Sequence, residues 1–154
     1  MRNLTRRQTI DLYALLDNHL IVNSLAAWAA AQIIKTILYA VMHGKLDFHR
    51  LFGDGGMPSG HSATVTAMAV TAALEYGLAS PVFAIAAILA IIVMHDAMGV
   101  RLEAGKHAKV LNQLMASFAG EVAPEDVLKE FLGHTPLQVG FGALLGFCMA
   151  VLMG

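Results

Sequence analysis

Four mostly apolar stretches, residues 20–42, 62–78, 81–98 and 137–153, alternate with polar segments along the chain. A helix needs about 20 predominantly apolar residues to cross a bilayer. Each stretch reaches or approaches that length, so the pattern predicts four spanning helices. The second is the weakest. It is rich in Ala, Thr and Val and carries Glu75 near its end, as a helix buried among others or ending at an interface would. The boundaries carry helix signals too. Ser80-Pro81 reads as an N-cap followed by proline at the first helical position. Thr135-Pro136-Leu137-Gln138 reads the same way, with a capping-box glutamine three residues after the threonine. Gly142 and Gly146 form a Gly-xxx-Gly face suited to close helix packing.

Between the third and fourth stretches lies a long polar insertion, residues 99–133. An amphipathic helix is expected over about 106–118, and a second short helix over 124–132, ended by Gly133 as a C-terminal cap. These helices are expected at the membrane surface or folded over the bundle. Four crossings put residues 44–61 and 95–138 on one side of the membrane, and nearly all the unusual polar residues lie there. Orientation stays open. Arg2, Arg6 and Arg7 favour a cytoplasmic N-terminus, while Lys45, Arg50, Arg101, Lys106, Lys109 and Lys129 load the other side.

Composition strengthens the membrane reading. Of 154 residues, 57% are apolar and only 14% charged, against about 25% charged in soluble domains. The length fits a single membrane domain, with a polar N-terminal segment over 1–18. A net charge of −1 lacks the basic footprint of nucleic-acid binding. The one cysteine, Cys148, excludes an intrachain disulfide. Residues 1–17 do not read as a cleaved signal peptide.

The chemistry concentrates in Gly55-Gly56-Met57-Pro58-Ser59-Gly60-His61-Ser62, which opens the second helix. Glycines let backbone approach a ligand closely. A helix N-terminus offers open N–H groups and a positive dipole end to an anion. Ser59 adds a hydroxyl, and His61 can donate a proton near neutral pH. The competing account is a glycine-rich turn with Ser59 as an ordinary N-cap.

The string Pro58-Ser59-Gly60-His61, with Gly-Gly-Met before it, resembles the second signature motif of the type-2 phosphatidic acid phosphatase and vanadium haloperoxidase superfamily, in its divergent branch. Three further segments are similar to motifs of that branch. They are Ala31-Gln32-xx-Lys35, the run from His95 to Arg101 with Ala104-Gly105-Lys106, and the run from Leu128 to Pro136. The resemblance covers about residues 32–146. It implies an all-α integral membrane bundle, here of about four spanning helices plus the amphipathic insertion. It also implies a small bacterial protein of the cytoplasmic (inner) membrane that uses no cofactor and no metal.

The resemblance implies a reaction in which one histidine attacks phosphorus, a second protonates the leaving oxygen, and cations hold the phosphoryl oxygens. Fixed cations and N–H donors suit the charge that builds on those oxygens. His61 takes the acid role. Ser59 and Gly60 become phosphate donors, with Lys35, Arg101 and Lys106 as cations. A lysine inside a spanning helix is a functional candidate by default, though it can also snorkel to the interface. The nucleophile is His134, with His107 as the alternative: Arg101 and His107 match the family's Arg-to-His spacing, whereas His134 and Gln138 match its His-to-Asp spacing. Gln138 stands where the family carries Asp, so the charge that supports the histidine is missing. Glu130 and Asp96 are the candidates to supply it; Asp96 is equally suited to pair with Arg101 or Lys106. Arg50 is a candidate for a further family cation that is absent.

These readings predict a membrane phosphatase acting on a lipid phosphate or diphosphate that enters from the bilayer. Its partners would be that substrate and membrane lipids, with glycine-rich helix faces as a basis for a homodimer. The alternative is a non-catalytic lipid-phosphate binder or transport-related protein. A vanadate-dependent peroxidase would share the anion site, but those relatives are soluble.

Overall fold

The computed structural model describes residues 12–45, 56–119, 127–130 and 133–154. Five helices follow a short 3-10 turn at Leu12–Leu15: α1 (His19–His43), α2 (Gly60–Tyr76), α3 (Pro81–Met98), α4 (Val100–Ala119) and α5 (Pro136–Met153). No strand occurs among the described residues.

The caps explain where the helices begin and end. Asn18 accepts from the Ile21 amide at the start of α1, and Gly44 closes it at φ +66° with its N–H on the Ala40 carbonyl. Ser80 caps α3 through the Phe83 amide at 3.1 Å, with Pro81 at the first helical position. Thr135 and Gln138 complete the expected capping box on α5.

Among the described residues, three helices are long and apolar enough to cross a membrane: α1, the run Pro81–Phe118 that contains α3, and α5. At 17 residues, α2 is only about 25 Å long, short of a bilayer core of about 30 Å. It is the central element, packed against α1, α3 and α5. That is the buried helix its Ala- and Thr-rich sequence predicts.

The packing inverts the soluble pattern. The buried core is Ala27, Ala31, Ala63, Ala67 and Ala150, with a second cluster of Val65, Ala69, Ala72, Ala86 and Ala90. Large side chains such as Ile85, Ile88 and Ile91 face outward. Lipid tails are as apolar as leucine, so small residues that let helices approach closely hold such a bundle together. Gly142 and Gly146 act in this way within the chain. A methyl group on Gly142 would strike the Ser59 carbonyl, and one on Gly146 the Ala63 carbonyl. The face that favoured a homodimer is therefore occupied by α2.

Neighbour pairs fix the helix directions. His19 meets Glu75 at 2.6 Å and Asn23 meets Thr71 at 3.1 Å, so α1 and α2 are antiparallel. Gly142 lies on Ser59, Gly146 on Ala63, and Gly154 near Leu74, so α2 and α5 are parallel. The C-terminal half of α1 and the N-termini of α2 and α5 therefore share one end of the bundle. The end of α3 joins them, because the His134 amide donates to the Ala97 carbonyl at 3.0 Å.

The insertion differs from expectation. Its helix begins at Val100, directly after Gly99, instead of near 106. The run 99–105 reads as a polar loop, but only Gly99 interrupts the helical path. The second helix expected over 124–132 lies mostly outside the described residues, and 127–130 are not helical. Gly133 serves close packing instead of a cap: a Cβ there would collide with the Leu102 backbone.

Candidate active site

Two helix N-termini meet at the shared end. Ser59 caps α2, its hydroxyl oxygen accepting from the Ser62 amide at 3.3 Å and the Ser62 hydroxyl at 3.0 Å. Its own amide donates to the Gln138 carbonyl at 3.1 Å. This bond ties the start of α2 to the first turn of α5. It also removes the Ser59 N–H from the donors available to a ligand. By helix geometry, the amides of Gly60 and His61 are the ones at the start of α2 without an intrahelical acceptor. The N-cap account of Ser59 and the anion-loop account are thus compatible: the cap organises the donors that follow it. Gly60 lies against Trp28 of α1, a contact with no sequence signal.

His61 and His134 are brought together. Their rings are 6.5 Å apart, centre to centre, and inclined at 59°. A near-attack contact is about 3–3.5 Å and a proton-transfer hydrogen bond about 2.6–3.2 Å. Both are contacts between single atoms, so the ring separation puts the two imidazoles beside one another without fixing which atoms would meet a ligand. His61 is exposed, whereas His134 is 4% exposed. An exposed imidazole thus stands beside a buried one.

Gln138 uses one oxygen twice. Its Oε1 accepts from the Thr135 amide at 3.0 Å and lies 3.3 Å from His134 Nδ1. The Thr135 N–H requires an acceptor, which identifies the shared atom as the amide oxygen. Nδ1 must then donate to it, making Nε2 the basic nitrogen of His134. Capping and ring orientation, alternatives at the level of sequence, are one arrangement.

Lys35 is buried in α1 at 6% exposure. Its aliphatic stem lies against Gly56, where a Cβ would sit 3.3 Å from Lys35 Cγ. Gly56 also has φ +82°, a conformation glycine adopts without strain. Gly56 thus lets the loop cross the lysine stem three residues before Ser59.

The divergent PAP2 family matches the chain over residues 16–149. The chain belongs to that family. It is also similar to a Bacillus subtilis (strain 168) protein named "Uncharacterized membrane protein YuiD", 42% identical over 151 residues, covering 90% of this chain and 96% of the relative. No solved structure matches. The family match encloses every candidate residue from Lys35 to Gln138.

The remaining candidates of this divergent PAP2 chain gather on α4 and its neighbours. Arg101 Nε donates to Asp96 Oδ2 at 2.7 Å, across the α3–α4 junction. Lys106 pairs with Glu103 at 2.6 Å on the exposed face of α4. His107 is exposed one residue further on. Glu130 accepts from Asn112 Nδ2 at 2.9 Å. The two carboxylates considered as support for His134 therefore engage other partners. Arg50 lies outside the described residues.

Asn112, one place too far along to match the family's Asp after His107, has a role that sequence reasoning missed. Its side chain donates to the Leu128 carbonyl and accepts from the Leu128 amide, each at 2.9 Å, as well as holding Glu130. It clips residues 128–130 onto α4. The available signal was an asparagine inside an amphipathic helix, a poor helix former that gains from a partner.

Proposed function

We propose that this protein is a phosphatase of the cytoplasmic membrane that hydrolyses a lipid phosphate or diphosphate through a phosphohistidine. The observation that carries the reading is the His61–His134 pair at the joined N-termini of α2 and α5, with the buried Lys35 beside the same loop. His134 Nε2 attacks phosphorus while the bond to the ester oxygen breaks. His61 gives its proton to that oxygen, and the lipid leaves as an alcohol or as a lipid monophosphate. A water molecule then attacks the phosphohistidine, His61 takes its proton, and phosphate departs. Lys35, the Gly60 and His61 amides and the two helix dipoles stabilise the equatorial oxygens. Arg101 and Lys106 reach the phosphate only after leaving Asp96 and Glu103.

A second reading is favoured by Gln138. Its amide orients His134 but supplies no charge to the imidazolium, and neutralising the analogous carboxylate in a serine protease lowers kcat about 10⁴-fold. A protein that binds lipid phosphates without turnover would keep the anion loop and tolerate this change. Purified protein tested for phosphate release against a panel of lipid phosphates and diphosphates separates the two. The phosphatase reading expects release by wild type, none by His134→Ala, and a strong reduction by His61→Ala. Phosphate binding with no release from any substrate rejects it in favour of the binder.

A further inference from the structure

An apolar groove of about 300 Å³ runs along the α1/α5 seam. It is lined by Ile34 and Leu38 of α1, by Phe141, Leu144 and Cys148 of α5, and by Pro58. Every lining residue is apolar or a thiol. Two features connect this groove to the anion loop. Pro58 immediately precedes Ser59, and Ile34 immediately precedes Lys35. The outer side is open, since Leu38, Phe141 and Leu144 are substantially exposed.

We propose that this groove seats one hydrocarbon chain of the substrate, with the chain's phosphate on Gly60, His61 and Lys35. The inference rests on the phosphatase site proposed above and adds where the lipid lies and how many chains are held. A volume of about 300 Å³ is at the small end of ligand pockets, so the seam takes one chain, and a second chain of the same lipid would lie outside it. Gly142 lies against Ser59, and Cys148 is six residues further along α5, about 9 Å of helix. Cys148 therefore marks the far end of the groove. The chain arrives from lipid as apolar as the groove, so the seam supplies position more than affinity. The informative readout is the location of the chain.

The probe is a dodecyl phosphonate with a terminal diazirine, photolysed on the detergent-purified protein and mapped by peptide mass spectrometry. The corresponding dodecanol serves as control. Hydrolysis of dodecyl phosphate is measured in parallel. The proposal expects label on the 141–148 stretch of α5 and the 34–38 stretch of α1. That label should fall with the alcohol control, with excess unlabelled phosphonate and in Cys148→Trp or Leu144→Trp. Label spread over outward residues such as Ile85, Ile88 and Ile91, and indifferent to the phosphonate group, overturns the groove. If hydrolysis proceeds in that case, the phosphatase reading stands alone. Groove labelling without hydrolysis of any lipid phosphate keeps the seat and overturns the phosphatase.

Discussion

The candidate residues divide between two regions with opposite physical character. At the joined ends of α2 and α5, Lys35, Ser59, Gly60 and His134 are buried, and backbone hydrogen bonds fix their positions. On α4, Arg101 and Lys106 are exposed and each is paired with a carboxylate. Exposed pairs contribute little, typically 0–1 kcal/mol, and their charges are already neutralised. The contrast teaches that a sequence motif can combine residues of unequal standing. Those gripped by the bundle are held in place by its packing, whereas those on the insertion are exposed and must leave a carboxylate before meeting another anion.

The sharpest way to break this contrast is to remove one cation from each region. Lys35→Met should lower kcat/KM by about 10²–10³, the effect of deleting one donor to a developing oxyanion, with the thermal midpoint in detergent retained. A loss below tenfold would move Lys35 out of the site. Gly142→Val tests whether the buried region depends on the α2/α5 contact. The added side chain meets the Ser59 carbonyl, so destabilisation of about 3 kcal/mol, the top of the overpacking range, is expected in thermal unfolding. An unchanged midpoint would show that α5 yields freely. Gln138→Leu should lower kcat on the order of tenfold, the scale of lost outer-shell orientation. Gln138→Glu, which keeps an acceptor and adds charge, should match or exceed wild type. An unchanged kcat in Gln138→Leu, with only the thermal midpoint lowered, would assign Gln138 to capping alone. The smallest effect belongs to the insertion: Lys106→Gln should change stability by less than about 1 kcal/mol and leave kcat/KM nearly unchanged. A large drop in rate would mean that α4 folds onto the substrate.

Much of the scaffold was legible in the sequence. Hydrophobic runs and cap residues place α1, α2, α3 and α5 within two residues of their observed ends, because apolar length and capping are local signals. The helix-end position of Pro58-Ser59-Gly60-His61 was equally legible, as was the pairing of Asp96 with Arg101. The insertion was less so. Whether Gly99 breaks a helix or only interrupts it depends on what Gly133 and Asn112 bring against α4, and those contacts span tens of residues. The double use of Gln138 Oε1 was invisible for a similar reason: spacing shows that a glutamine can reach both Thr135 and His134, but only the fold shows that it reaches both with one atom.

The parallel course of α2 and α5 has a consequence for how the protein responds to its surroundings. Side by side and pointing the same way, their dipoles repel, and their positive ends lie together. An anion bound between them would offset that repulsion. Occupancy and folding are then linked: phosphate or a phosphate analogue at 100 times its Kd would raise stability by about 2.7 kcal/mol. The bundle would be tightest with its site filled and would loosen as product leaves, making a rising thermal midpoint on phosphate addition a gauge of occupancy that needs no turnover.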